Sequence, residues 1–95
     1  MPRLDPLIHP PARLQVVTTL SAVSEAEFAT LRAALQVSDS VLSKHLTTLT
    51  EAGYVRTHKA VRAGRRTTWI TLTSAGKQAL REHVAALRQL IDAVG

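Results

Sequence analysis

The sequence contains no cysteine. That excludes a disulfide framework, a thiolate metal site and a cysteine nucleophile. Aromatic residues are nearly absent too: Phe28, Tyr54 and Trp69 are the whole supply. Any core must therefore be built from Leu, Val, Ile and Ala. No apolar run approaches the ~18 residues that would mark a membrane-spanning helix. The first five residues lack the apolar stretch of a secretory signal, so a soluble, cytoplasmic protein is expected, with no membrane partner. Internal repeats and low-complexity tracts are missing. A chain of 95 residues has room for one domain, in which roughly 60–65% of the unfolded surface is buried.

Acidic residues are scarce and unevenly spread. Twelve Lys and Arg stand against seven Asp and Glu, for a net charge of +5. Between Glu51 and Glu82 lie thirty residues with no acid at all. That stretch holds Arg56, Lys59, Arg62, Arg65, Arg66, Lys77 and Arg81. A charge balance of this kind favours an anionic partner.

All four prolines fall within residues 1–11, which predicts an irregular arm with one short turn. Pro11 suits the first turn of a helix, where its missing N–H is not needed. Leu14, Val17 and Leu20 give that first helix an apolar face over 12–22. Ser24 and Glu27 have capping-box spacing, and Phe28, Leu31 and Leu35 follow on one helical face. This places a second helix at 25–35. Gln36 and Val37 form a turn. Ser38 is the expected N-cap of a third helix, with Asp39 near its positive end. Leu42, Leu46 and Leu49 are its buried stripe, with Val41 beside them, and Gly53 is its expected left-handed stop. Helix 3 covers 39–52.

The periodicity then changes. Residues 54–61 and 67–72 are rich in β formers, with Val55 and Val61 on one side and Gly64 in a polar turn between the runs. The reading is a hairpin over 54–72 with a basic tip. Thr73 or Ser74 caps a last helix, 74–93, whose seam is Leu80, Val84, Leu87 and Ile91, widened by Leu90 and Val94. The fold class is mainly α with a small β-hairpin: a winged helix-turn-helix in the order helix, helix, helix, hairpin, helix.

Such an arrangement suits double-stranded DNA. A helix enters the major groove only with a narrow, polar outer face, and helix 3 offers one. Ser40, Ser43 and Lys44 are the base-reading candidates, since early residues of a recognition helix reach base edges best. Ser38, His45, Thr47 and Thr48 are further contacts, the threonines to the backbone. In the wing, Arg62, Arg65 and Arg66, with Lys59 and Thr67, suit phosphates or a narrow minor groove. Trp69 is expected in the core. The wide seam of helix 4 predicts a two-fold dimer, joined by Leu4, Leu7 and Ile8 of the arm. No catalytic set, paired carboxylates or phosphate-cradling glycine loop is recognisable, so no enzyme, metal or cofactor is expected. The rival reading is a winged helix that binds an acidic protein.

Residues 38–55 resemble the recognition helix and first strand of MarR- and ArsR-type bacterial regulators. Leu42 to Leu46 and Leu49 to Val55 carry the match. Leu72 to Gly76 resembles the exit from the MarR-like wing, and Leu4 to Leu14 the start of compact single-domain winged-helix regulators. The resemblance implies a homodimeric transcription factor, usually a repressor, reading a palindromic operator, and leaves room for an unidentified small-molecule effector. The chain lacks the long paired helices of larger MarR proteins. It also lacks the ArsR thiolate motif, and Glu82, His83 and Asp92 are too few for the alternative zinc pattern.

Overall fold

A computed structural model describes residues 3–95; Met1 and Pro2, the start of the expected arm, lie outside them. The elements are α1 (Pro11–Val23), β1 (Glu25–Glu27), α2 (Phe28–Leu35), α3 (Asp39–Glu51), β2 (Val55–Arg62), β3 (Arg65–Leu72) and α4 (Ser74–Val94). This is the winged helix-turn-helix order with one strand added.

The added strand corrects the expected second helix. Ser24 does not cap α2. It ends α1 at φ 71°, its N–H donating to the Leu20 carbonyl. Residues 25–27 then pair antiparallel with β3, Glu25 opposite Thr71 and Glu27 opposite Trp69. The competing force is the open edge of β3, whose backbone groups need partners. Ala26 turns under the sheet and is buried. The sheet order is β1-β3-β2, and α2 begins only at Phe28, without a side-chain cap.

Each remaining boundary has a local cause. Pro11 opens α1. The helix-turn-helix bend is made by Gln36 in the left-handed region. Ser38 Oγ accepts from the Val41 N–H and starts α3. Gly53, at φ +78°, stops α3, with the Tyr54 N–H donating to Leu49 O at 2.9 Å in the six-to-one closure typical of such ends. Ala63 and Gly64, at φ 53° and 73°, form the two-residue turn that matches strand twist. Thr73 Oγ1 accepts from the Gly76 N–H and caps α4.

The core joins every element: Ile8 from the arm, Val16, Val17 and Leu20 from α1, Leu31 from α2, Leu42, Leu46 and Leu49 from α3, Val55, Ile70 and Leu72 from the sheet, Leu80 from α4. A fully buried aliphatic side chain contributes about 1.5–3 kcal/mol, so the α3 leucines fix that helix firmly to the body. The arm makes the expected single turn and is anchored by Ile8 in the core and by the hydrogen bonds of Asp5. Asp5 donates its N–H to His83 Nδ1 at 2.9 Å, and its carboxylate accepts from Tyr54 Oη at 2.8 Å. His83 is fully buried, the one polar side chain in the core among the described residues. Its Nδ1 is an acceptor, so its Nε2 carries the proton that faces His9 Nδ1, 3.4 Å away.

Val61 shares its sheet face with Val55, as the alternation predicts, but is 70% exposed, because the wing tip extends past the helical body. One expectation fails on burial, not on pattern. Trp69 is not core. Its neighbour Ile70 takes the inward position, and alternation sends Trp69 to the outer face.

Candidate nucleic-acid interface

The exposed side of α3 carries Ser40, Val41, Ser43, Lys44 and Thr47, opposite the buried leucines. Ser40 Oγ lies 3.2 Å from Ser38 Oγ, so the cap and the first candidate reader form one hydroxyl pair. Thr47 Oγ1 donates to Ser43 O and Thr48 Oγ1 to Lys44 O. Both hydroxyls therefore present acceptor lone pairs outward while their protons serve the helix. Lys44 is exposed and enters no ion pair among the described residues. Val41, expected beside the core, is instead 42% exposed. An apolar side chain here can meet a thymine methyl; its place in the stripe had hidden it. Arg32 and Asp39 form an exposed ion pair of 2.9 Å across the helix-turn-helix bend.

His45 is half-buried, and its Nδ1 has no hydrogen-bond partner among the described residues. Burial, then the charges of Arg13 and Lys44, push its pKa below the ordinary value.

The wing sorts its basic residues by strand parity. Lys59 and Arg66 share a face with Thr57, Thr68 and the buried Val55 and Ile70. That face looks toward α3: Thr57 and Thr68 line a cleft of ≈ 480 Å³ together with Ser43, Leu46, Thr47, Thr50 and Glu51 of α3 and Phe28 of α2. Arg56, His58, Arg62 and Arg65 alternate onto the outer face with Thr67 and Trp69. Arg65 and Arg66 are exposed. Arg62 is turned back: its guanidinium meets Glu25 at 3.0 Å and lies 4.0 Å from the Trp69 ring centroid. The Trp69 Nε1–H donates to Thr67 Oγ1, so the expected wing contact Thr67 is engaged too. Glu25 was outside the sequence-based candidates because it was read as helical.

Of the expected dimer residues, Ile8 and Leu80 are buried within the protomer's own core, which corrects their assignment to an outer surface. Leu4, Leu7, Val84 and Leu87 are half-buried. Leu90, Ile91 and Val94 are 53%, 68% and 90% exposed. Every residue from Arg88 onward is exposed, so the last two turns of α4 project from the body with an apolar edge.

A model of the winged helix DNA-binding domain matches residues 12–91. The chain belongs to the winged-helix DNA-binding family. It is 33% identical over 78 residues to an uncharacterized protein of Methanocaldococcus jannaschii, covering 82% of this chain and 85% of that one. Among solved structures it is similar to a transcriptional regulator homologue from Pyrococcus horikoshii, with TM-score 0.88 and 25% identity over 93% of this chain and 87% of that one. A MarR-family regulator from Silicibacter pomeroyi matches with TM-score 0.69 and 27% identity, over 93% of this chain and 58% of that one. Family and fold are those of DNA-binding transcriptional regulators, not of enzymes. Among the described residues, no helix is long and apolar enough to cross a membrane.

Proposed function

We propose that this winged-helix regulator is a homodimeric repressor that binds a palindromic site in double-stranded DNA. Helix α3 enters the major groove, with Ser40, Val41, Ser43 and Lys44 at base edges and Ser38, His45, Thr47 and Thr48 nearer the backbone. The wing lies alongside, with Lys59, Arg65 and Arg66 on phosphates or in the minor groove. One observation carries this reading. The α3-facing side of the wing bears Lys59 and Arg66 and no acid, and nearer the body its Thr57 and Thr68 share a cleft with Ser43, Thr47, Thr50 and the single acid Glu51 of α3. A duplex would meet both surfaces at once.

The projecting edge of α4 supports dimerisation. Leu90, Ile91 and Val94 lie beyond the reach of the protomer's own core, and a two-fold axis there would cover them with their own symmetry mates. Recognition helices spaced about 34–36 Å apart then read half-sites one helical turn apart.

The test is binding to the DNA upstream of the protein's own gene, against a random duplex, across about 50–300 mM salt. Tight, site-selective binding that weakens log-linearly with salt is expected. Ser43→Ala and Lys44→Ala should reduce discrimination between the two DNAs, while Arg65→Ala with Arg66→Ala should weaken both and flatten the salt slope. No binding to either duplex at low salt overturns the proposal.

A further inference from the structure

Of the acids beside the wing, Glu25 and Glu27 on β1 and Glu51 at the cleft, Glu25 is the one that pairs with a wing arginine. Glu25, brought there by β1, sits on the outer face of the sheet, opposite Thr71 of β3. Arg62 comes from the far strand, β2, at the pair that closes the hairpin. Its side chain crosses β3 to reach Glu25 Oε1 at 3.0 Å, passing over the face of Trp69 at 4.0 Å. The guanidinium is thus held by a carboxylate on one side and by the electron-rich ring below it. Trp69 is itself fixed by the bond from its Nε1–H to Thr67 Oγ1. Arg65 and Arg66, adjacent at the same tip, have no such partner among the described residues.

We infer that Glu25 is a specificity-determining residue: its carboxylate stands in for a DNA phosphate, withholds Arg62 from non-specific duplex, and yields it only where a bound phosphate displaces it. This rests on the DNA-binding reading above. The chemistry of the two partners is the same, an oxyanion accepting from a guanidinium. The pair is partly exposed, Arg62 at 52% and Glu25 at 34% of their side chains, so the hold is weak enough to be exchanged. Trp69 keeps the arginine lying flat on the outer face while it is held, and removes it from the set of charges that an encounter with random DNA would meet. Lys59, Arg65 and Arg66 remain to make that encounter. A wing whose every arginine was free would bind all sequences more tightly and discriminate less.

The experiment compares four full-length proteins: wild type, Glu25→Gln, Arg62→Ala and the double variant. Binding to a random duplex is measured by fluorescence anisotropy over a salt series. Glu25→Gln should tighten random-duplex binding by about two- to five-fold, the range an exposed pair can supply, and steepen the log–log salt slope by about 0.9, one added phosphate contact. Arg62→Ala in the wild-type background should leave the slope unchanged. In the double variant the gain from Glu25→Gln should vanish. An equal gain with and without Arg62 would mean that only overall charge matters and would overturn the inference. So would a loss of slope in Arg62→Ala matching that of Arg65→Ala. The emission of Trp69, the sole tryptophan, gives a second readout without DNA: Glu25→Gln should move it toward the Arg62→Ala spectrum, and identical spectra for wild type and Glu25→Gln would overturn the clamp. Failure of all four proteins to bind any duplex overturns the DNA-binding reading itself, which differs from binding by all four with equal slopes.

Discussion

Gly76 stands in the first turn of α4 with ordinary helical backbone, so no dihedral demands a glycine there. Space does. A Cβ at this position would lie 2.6 Å from Leu72 Cδ1 and closer still to the Tyr54 carbonyl oxygen. The leucine methyl can turn aside. The carbonyl cannot: it is backbone, and it accepts the Thr73 N–H at 3.0 Å. Gly76→Ala must therefore push the start of α4 away from the base of the wing. Because the clash is with fixed backbone, the overpacking cost falls in the upper part of the usual range, about 2–3 kcal/mol, and alanine's helix preference offsets about 1 kcal/mol of it. The net loss of about 1–2 kcal/mol corresponds to a fall in Tm of about 4–16 °C for a domain of this size. The assay is thermal unfolding followed by circular dichroism, at one fixed protein concentration because the Tm of the proposed dimer would depend on it. An unchanged or higher Tm would refute the close approach of α4 to the wing.

Ile91→Asp, on the exposed end of α4, should yield a monomer of unchanged secondary structure by light scattering; a persistent dimer would move the interface elsewhere. The Tyr54 pKa is pushed up to about 12 by its bond to the Asp5 carboxylate, then by burial and by the charges of Asp5 and Glu82. A raised acid pKa makes its contribution to stability fully present below the ordinary value of about 10 and lost as pH rises toward about 12. Phenolate absorbance of this single tyrosine should titrate late, and Tyr54→Phe should remove that alkaline loss; ordinary titration would exclude the Asp5 bond. His83 has its pKa lowered by burial and by His9, against an opposing effect of Asp5. Its contribution is present above the ordinary histidine range and is lost as pH falls through the folded value. Chemical denaturation at a series of acid pH values should show that limb. His83→Gln should make it shallower without abolishing it, since His45 is shifted the same way; an identical limb would show that His83 is not held neutral.

The helices were legible because their signals are local. Proline at the start of α1, the Ser38 cap, the leucine stripe of α3 and the left-handed Gly53 each fix an element without outside help. The wing turn was legible from Gly64 between two β-rich runs. What escaped was set by distant partners. Residues 24–27 carry a plausible capping box, yet the unpaired edge of β3, more than forty residues away in sequence, makes a strand of them. Burial along the hairpin escaped for a similar reason. Alternation gives the two faces of the hairpin but not where the helical body ends beneath them, so the exposure of Val61 was not legible and Trp69 was misplaced. The burial of His83 was not legible either; only the folded arm, with the Asp5 N–H beside it, explains a histidine in the core. On the interface, the polar face of α3 was readable and the exposure of Val41 was not. Arg62 was readable as a charge but not as a charge already engaged.

One small cluster ties α3, the proposed reading helix, to the helix proposed for dimerisation. The Tyr54 N–H closes the end of α3 on Leu49 O, and its carbonyl accepts the Thr73 N–H at 3.0 Å. Thr73 Oγ1 donates to Gly53 O at 2.6 Å while accepting the N–H of Gly76 at 3.0 Å. The Tyr54 hydroxyl reaches Asp5, whose N–H is held by His83 farther along α4. The end of α3, both wing strands and the start of α4 are thus joined by two backbone hydrogen bonds and two through the short, β-branched Thr73 side chain. Packed interiors resist continuous deformation, so a rotation of α4 about its first turn cannot be absorbed there and must be passed to α3 or to the wing. Gly76→Ala is then more than a stability variant. Because it displaces α4 where α3 ends, it should weaken binding to a two-half-site operator more than binding to a single half-site, at temperatures where the variant is fully folded. Equal losses on the two DNAs would show that the spacing of the recognition helices does not depend on this cluster.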